Sequence, residues 1–327
     1  MISLVSVFTI FSLMACGGGN KTSNNVDDQD NKVVVNVPKF NADSAYQYVK
    51  AQVDFGPRIP NTQGHVNCGN YLAGQLEKFG AKVYNQYADV IAYDGTLLKA
   101  RNIIGAYKPE SKKRVALFAH WDTRPWADND PDEKNHHTPI LGANDGASGV
   151  GTLLEIARQI QQQAPELGID IIFFDAEDYG APQFYEGEHK EESWCLGSQY
   201  WAQHPHVDGY NARYGILLDM VGGKNTVFLK EKYSEKYAPD INKKVWKAAK
   251  RIGYENIFVD QDGDPITDDH LFVNRLANIK TIDIIANDAE YGFPPTWHTL
   301  NDNMENIDKN TLKATGQTVL EVIYNEK

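Results

Sequence analysis

Four short runs constrain this chain most: "RVALFAH" at 114–120, "IDIIFFDAED" at 169–178, "YGILLDMV" at 214–221 and "IKTIDIIA" at 279–286. Each is continuously apolar where a half-exposed strand would alternate, so each reads as a strand covered on both faces. Helical segments separate them, notably "GASGVGTLLEIARQIQQQ" (146–163) and "DINKKVWKAAKRIG" (240–253), which gives the rhythm of a mostly parallel sheet. Upstream, "NADSAYQYVKAQVDFG" and "HVNCGNYLAGQLEKFG" read as two amphipathic helices, the second stopping near Gly80. "AKVYNQYADVIAY" and "ARNIIGAYK" then read as strands joined by a hairpin-like link at Asp94-Gly95. The expectation is one α/β domain over residues 39–327, with a mixed, mostly parallel central sheet flanked by helices.

In such sheets ligands bind beyond the carboxyl ends of the strands, and polar residues gather there. His120 and Asp122 follow the first run, Asp175, Glu177 and Asp178 close the second, and Asp219 sits near the end of the third. Asp145 precedes a helix in "GANDGASG", and His298 lies in the Pro-flanked loop "PPTWHTLNDNMENID". One strand-end carboxylate is as readily a helix cap or a turn residue. Several converging from separate loops repel one another unless a cation sits among them. A mixed oxygen and nitrogen donor set suits Zn²⁺, with three protein ligands and one open position for chemistry.

Six strings, "HWDTRPW", "GANDGASGVGTLLEIAR", "FFDAEDYG", "LLDMVGG", "TDDHLF" and "TWHTLNDNMENID", occur in the order and context of the zinc aminopeptidase and glutaminyl cyclase superfamily. The resemblance covers roughly residues 42–327. Within it, Trp297-His298-Thr299 followed by Asn-Asp-Asn-x-Glu-Asn, with Asp268-Asp269-His270, resembles the glutaminyl cyclases, also called glutaminyl-peptide cyclotransferases. "GPRIPNTQGH" and "WCLGSQYWA" are similar to their bacterial branch. The resemblance implies a zinc aminopeptidase-like fold and one Zn²⁺ held by Asp145, Asp178 and His298. It implies Glu177 as the proton shuttle and Asp268 as a second acid with Asp219 as its partner. Trp297 would wall a small substrate pocket, and the loop through Trp194 would shape access to it. The implied reaction converts the N-terminal glutamine of peptides and exported proteins to pyroglutamate and releases ammonia. The chain departs from the animal cyclases in three respects: Asp178 stands where they carry Glu, Asp283 where they carry a histidine of the acid network, and Ala119 and Val150 where they carry a cysteine pair.

A second reading uses the same residues. His120, Asp145 and Asp219 match the second metal site of the two-zinc aminopeptidases, with Asp122 orienting His120 from behind. A third is a catalytically inactive, lipid-anchored protein that binds peptides, disfavoured because none of the mapped positions is missing.

"MISLVSVFTIFSLMAC" is too short to span a bilayer as a helix and is followed by a Gly, Asn and Asp rich stretch that offers nothing to pack on. It resembles a lipoprotein signal peptide over 1–16 with Cys16 as the acylated residue, although no Lys or Arg precedes the apolar run. Residues 17–38 then form a flexible linker, and the expected location is the cell envelope. A net charge of −12 argues against nucleic acid and against adhesion to acidic headgroups, so membrane contact is expected through the lipid alone. Cys68 and Cys195 remain open between a disulfide and two free thiols. Asp260, Asp262 and Asp264 read as a solvated acidic turn, His136 and His137 as residues of the rim, and Trp121 and Trp126 as packing side chains.

Overall fold

The computed structural model describes residues 35–327 apart from 289 and 291; the expectations for 1–16, and for the linker up to residue 34, lie outside these residues. Helix α1 (Ala42–Val53) begins where the Asn41 side chain accepts from the Ser44 N–H, and α2 (Gln63–Lys78) where Thr62 does the same for His65. Strands β1 (Lys82–Ile91) and β2 (Leu97–Tyr107) form an antiparallel hairpin that closes with Ile91 opposite Leu97. After them come β3 (Arg114–His120), α3 (Ala147–Gln162), β4 (Gly168–Phe174), α4 (Leu196–Gln203) and β5 (Gly215–Asp219). The last part holds β6 (Phe228–Lys230), α5 (Lys232–Tyr237), α6 (Pro239–Arg251), β7 (Phe258–Asp262), α7 (Asp269–Phe272), β8 (Thr281–Ile285) and α8 (Lys309–Tyr324).

The central sheet runs β1-β2-β4-β3-β5-β8. The four continuously apolar runs are its parallel strands β4, β3, β5 and β8, and every residue in them is buried. Alternate residues serve opposite faces. Val115, Leu117, Ile169, Ile171, Ile216 and Leu218 join the larger core with α1, α3, α6 and α8, while Phe118, Phe174 and Leu217 pack with Trp201 of α4 and Val273. Two buried charges inside the sheet are paired: the Arg114 guanidinium grips Asp170, with Nη2 donating to Oδ1 at 2.7 Å.

Two differences from the sequence reading concern local structure. The segment expected as a solvated acidic turn is instead strand β7, paired in parallel with β6, followed by residues 264–268 along a cleft. Helix α8, for which no sequence expectation was drawn, starts where Asp308 accepts from the Asn310 N–H and buries Leu312, Val319, Leu320 and Ile323 in the larger core. Among the described residues no helix is long and apolar enough to cross a membrane.

Candidate active site

The parallel strands deliver their carboxyl ends to one edge, where backbone in the left-handed region turns the chain sharply. Ala176 (φ 53°), Cys195 (φ 56°), Met220 (φ 49°) and His298 (φ 55°) all adopt it without being glycine. Such residues cost free energy, and they persist where surrounding contacts over-determine them.

Those contacts are visible for each loop. After β4, the Ala176 turn sends consecutive side chains different ways. Glu177 and Asp178 enter the cleft, and their backbone N–H groups donate to the two oxygens of Asp122, both at 3.1 Å. Asp175 leaves it, pairing with His65 Nε2 at 2.7 Å, so it does not join the convergence at which the sequence placed it. Before α3, the carboxylate of Asp302 accepts from the N–H groups of Asn144 (2.7 Å) and Asp145 (3.0 Å). Behind that loop the fully buried Arg58 donates to the carbonyls of Trp121, Leu141 and Gly142. Gly146 must be glycine: its φ is 93°, and a Cβ would lie 2.6 Å from the Asp122 carbonyl oxygen. In the third loop, the His298 carbonyl accepts from Asn129 N–H at 3.1 Å, and its Nδ1 lies 3.5 Å from Asp128. Asp128 is itself held by a two-pronged pair with Arg124, at 2.7 and 2.6 Å.

The outcome is one buried cluster. His298 Nε2 lies 3.1 Å from Asp178 Oδ1 and 3.4 Å from Asp145 Oδ2, and candidate ligand atoms of all three residues fall within 4.8 Å of one another. A second group abuts it through Asp145: His120 Nε2 lies 3.0 Å from Asp145 Oδ1 and 3.2 Å from Asp219 Oδ1. Asp122, expected behind His120, is 3.6 Å from its Nδ1 and also accepts from the Glu177 and Asp178 amides that follow β4. Asp219 hydrogen-bonds His120 and lies close enough to Asp268, beside which it was expected, for the two charges to repel; Asp268 also groups with His270 and Asp283 on one side and with Glu177 and Cys195 on the other. His270 Nε2 is anchored 3.0 Å from Glu231 Oε2, and its Nδ1 is 3.7 Å from Asp283.

So many acids in one dry place disturb their ionisation. Burial pushes Glu177 well above the carboxylate range, with Asp178, Asp268 and Asp269 adding repulsion that the nearby His120 only partly offsets. Burial and the neighbouring Asp145 lift Asp178 to about 6, against His298. Burial likewise lifts Asp219 to about 7. Asp145 goes the other way: its burial is outweighed by the adjacent His120 and His298 rings, which hold it low.

A cleft of about 380 Å³ opens over the cluster. Trp297 stacks on the His298 ring with centroids 3.8 Å apart, Phe293 packs on Trp297, and Trp194 lies parallel to His298 at 6.3 Å with the Arg124 guanidinium over its own face. Trp121 instead stacks on the buried His65, and Trp126 joins Tyr93, Tyr179 and Phe184. His136 bonds the Asp130 carbonyl and His137 packs on Phe184. Both described cysteines are free and buried.

The donor chemistry fits a zinc ion. Both oxygens of Asp178 and Oδ2 of Asp145 are buried without a hydrogen-bond partner, a costly state that a cation relieves, and they face an imidazole nitrogen. Asp128 sits behind that imidazole as a carboxylate does in many zinc sites.

Residues 102–323 match the family model described as peptidase family M28. The chain belongs to peptidase family M28. Among solved structures it resembles a Bacteroides thetaiotaomicron glutaminyl cyclase bound to N-acetylhistamine, at 82% identity and a TM-score of 0.89 over 89% of this chain and 100% of that one. It also resembles a leucine aminopeptidase precursor from the same species (81%, TM-score 0.88, 90% and 100% covered). A third likeness is to a Zn-dependent exopeptidase from Parabacteroides distasonis (61%, TM-score 0.87, 89% and 100% covered). Curated relatives are more distant. The chain is 27% identical to an aminopeptidase of Bacillus subtilis and to a glutaminyl-peptide cyclotransferase of Bos taurus, covering 82% and 64% of itself and spanning 54% and 62% of their lengths. Membership in M28 and these neighbours imply zinc.

Several residues of the site carried no expectation of a role in it. Arg124, Cys195 and Asp302 lie inside quoted strings, and Asp128 lies in the polar loop after "HWDTRPW". A run as acidic as "NDNMENID" signals capping of orphan backbone groups, and Asp302 does cap two of them.

Proposed function

We propose that this chain is a glutaminyl-peptide cyclotransferase, acting on the N-terminal glutamine of peptides and exported proteins. The observation that carries the reading is 82% identity to a glutaminyl cyclase across that protein's whole resolved length. The small cleft, walled by Trp297, Trp194 and Phe293 and floored by carboxylates, supports it: it suits one short side chain carrying an amide.

Asp145, Asp178 and His298 would hold a single zinc ion, which when bound supplies Lewis-acid polarisation of the substrate's γ-carboxamide oxygen. The remaining work falls to the chain. The aromatic walls exclude water and hold the glutamine side chain folded toward its own α-amine, so that the attack is intramolecular. Glu177 accepts a proton from that amine as the new C–N bond forms, and returns it to the carboxamide nitrogen as the old C–N bond breaks and ammonia departs. A carboxyl group pushed upward by burial can do both near neutral pH. Asp268, buried at the cleft wall, would hydrogen-bond the departing nitrogen.

The second reading, a two-zinc aminopeptidase, is favoured by the contacts of His120 with Asp145 and Asp219. One experiment separates the two. A Gln-initiated and a matched Leu-initiated peptide are incubated with protein lacking residues 1–16 and followed by mass spectrometry, with bound zinc counted in parallel. Loss of ammonia from the Gln peptide alone, at one zinc per chain, is the expected result; removal of a whole residue from either peptide, at two zincs, would replace it.

We further propose attachment to the cell envelope through lipid on Cys16, a reading that rests on the sequence of residues 1–16. Metabolic labelling with an alkyne fatty acid should mark the full-length protein and not Cys16→Ala; equal labelling would remove the anchor.

A further inference from the structure

Cys195 lies beside the reacting carboxylate, and no role in the proposed reaction yet accounts for it. Its Sγ is 3.2 Å from Glu177 Oε1, and its backbone N–H donates to the Glu177 carbonyl at 3.0 Å. The next residue, Leu196, donates its N–H to Ala176 at 2.9 Å. The first turn of α4 is thereby stitched to the strained turn that presents Glu177. Its approach is very close: a Cβ on Gly197 would lie 2.0 Å from the Asp175 carbonyl oxygen and 2.6 Å from Asn102 Oδ1. The thiol has little freedom to sit elsewhere.

The backbone of Cys195 makes the side chain more telling. At φ 56° glycine is the residue without steric cost, and a side chain there is retained against a steric penalty. Cys195 is fully buried, and its sulfur hydrogen-bonds Glu177. Among the described residues no other side chain hydrogen-bonds Glu177, whose second oxygen, Oε2, stands 3.9 Å from His120 Nδ1.

We propose that Cys195 is a positioning residue for Glu177: its S–H donates to Oε1, fixes the carboxylate's rotamer and reserves Oε2 as the oxygen that carries the proton. This rests on the reading of Glu177 as the proton carrier. A thiol suits the task as a neutral, weak donor, because it orients the carboxylate without the opposing charge that would make it a poor base. Burial keeps the sulfur protonated, and the neighbouring carboxylates reinforce this.

The test compares wild type with Cys195→Gly, Cys195→Ala and Cys195→Ser, measuring kcat and KM for ammonia release from a Gln-initiated peptide together with zinc content and Tm. Glycine suits the backbone and lacks the donor, so folding is not the limit; serine keeps a donor. The expected result is a fall in kcat of about tenfold in the glycine and alanine variants, with KM and zinc content unchanged, and recovery of most of it in the serine variant. An unchanged kcat in the glycine variant would overturn the assignment. So would a serine variant as slow as glycine, or a loss carried by KM. Failure of the cyclase reading looks different, because wild type would then release no ammonia but remove the first residue of the Leu-initiated peptide. Glu177 would then take its proton from water, and the same split in kcat, read on hydrolysis, decides the assignment. A wild type inactive on both peptides would overturn it along with the reading.

Discussion

At the scale of single residues, the proposed site divides into groups that would meet substrate or metal and groups that aim them. Glu177→Gln should reduce turnover by at least about 100-fold while zinc stays bound, since the amide cannot carry the proton but leaves the donor set intact. Metal analysis beside a rate measurement checks both halves, and wild-type turnover would remove Glu177 from the reaction. His298→Ala should weaken zinc binding by at least about 100-fold, read by competition with a chelator. Undiminished affinity would exclude it as a ligand. The groups that face the cleft were legible in the sequence because acids and imidazoles crowding the ends of apolar strands are conspicuous. Those that aim them were not. Asp302 reaches Asn144 and Asp145 across more than 150 residues, and Arg58 holds carbonyls more than 60 residues away. Such bonds to backbone leave no local pattern. Asp175 was misplaced for a related reason: a strand-end carboxylate looks alike whichever face it takes, and here a left-handed alanine sends it to His65.

At the scale of elements, the buried parallel strands announced themselves through unbroken apolar runs, and the hairpin through Asp94-Gly95. Short β6 and β7, and the first turn of α4, did not, since three to five residues carry too little periodicity to distinguish strand from turn. The contact of α4 with the turn after β4 is the element-level support of the site. Gly197→Ala would force those backbones apart, and urea unfolding should show a loss of about 2–3 kcal/mol with reduced kcat. A variant as stable and active as wild type would show that α4 does not hold the turn in place.

At the scale of the whole molecule, a buried acid and base tie α5, α7 and β8 together behind the cleft. Glu231 accepts from the N–H groups of Tyr233, Ser234 and Ile266 and meets His270, which in turn faces Asp283. Burial alone would raise its pKa, but His270 and these amides draw it from 4.5 down to about 2. A depressed carboxyl stabilises the fold fully above its unfolded pKa and loses that contribution as pH falls through the folded value. Glu231→Gln should therefore cost about 3 kcal/mol at pH 7, and the gap from wild type should shrink to less than half by pH 3 in denaturant titrations. A gap that does not change with pH would show that the charge on Glu231 contributes nothing.

Asp145 and His298 stand more than 150 residues apart and meet only when β3, β4 and the loop beyond β8 share one edge. No fragment that stops short of residue 298 contains all three members of the Asp145, Asp178 and His298 cluster. A zinc ion held by all three residues would therefore be captured late, after synthesis and the assembly of the sheet. The ion that completes the cluster would thus be drawn from those present where folding finishes.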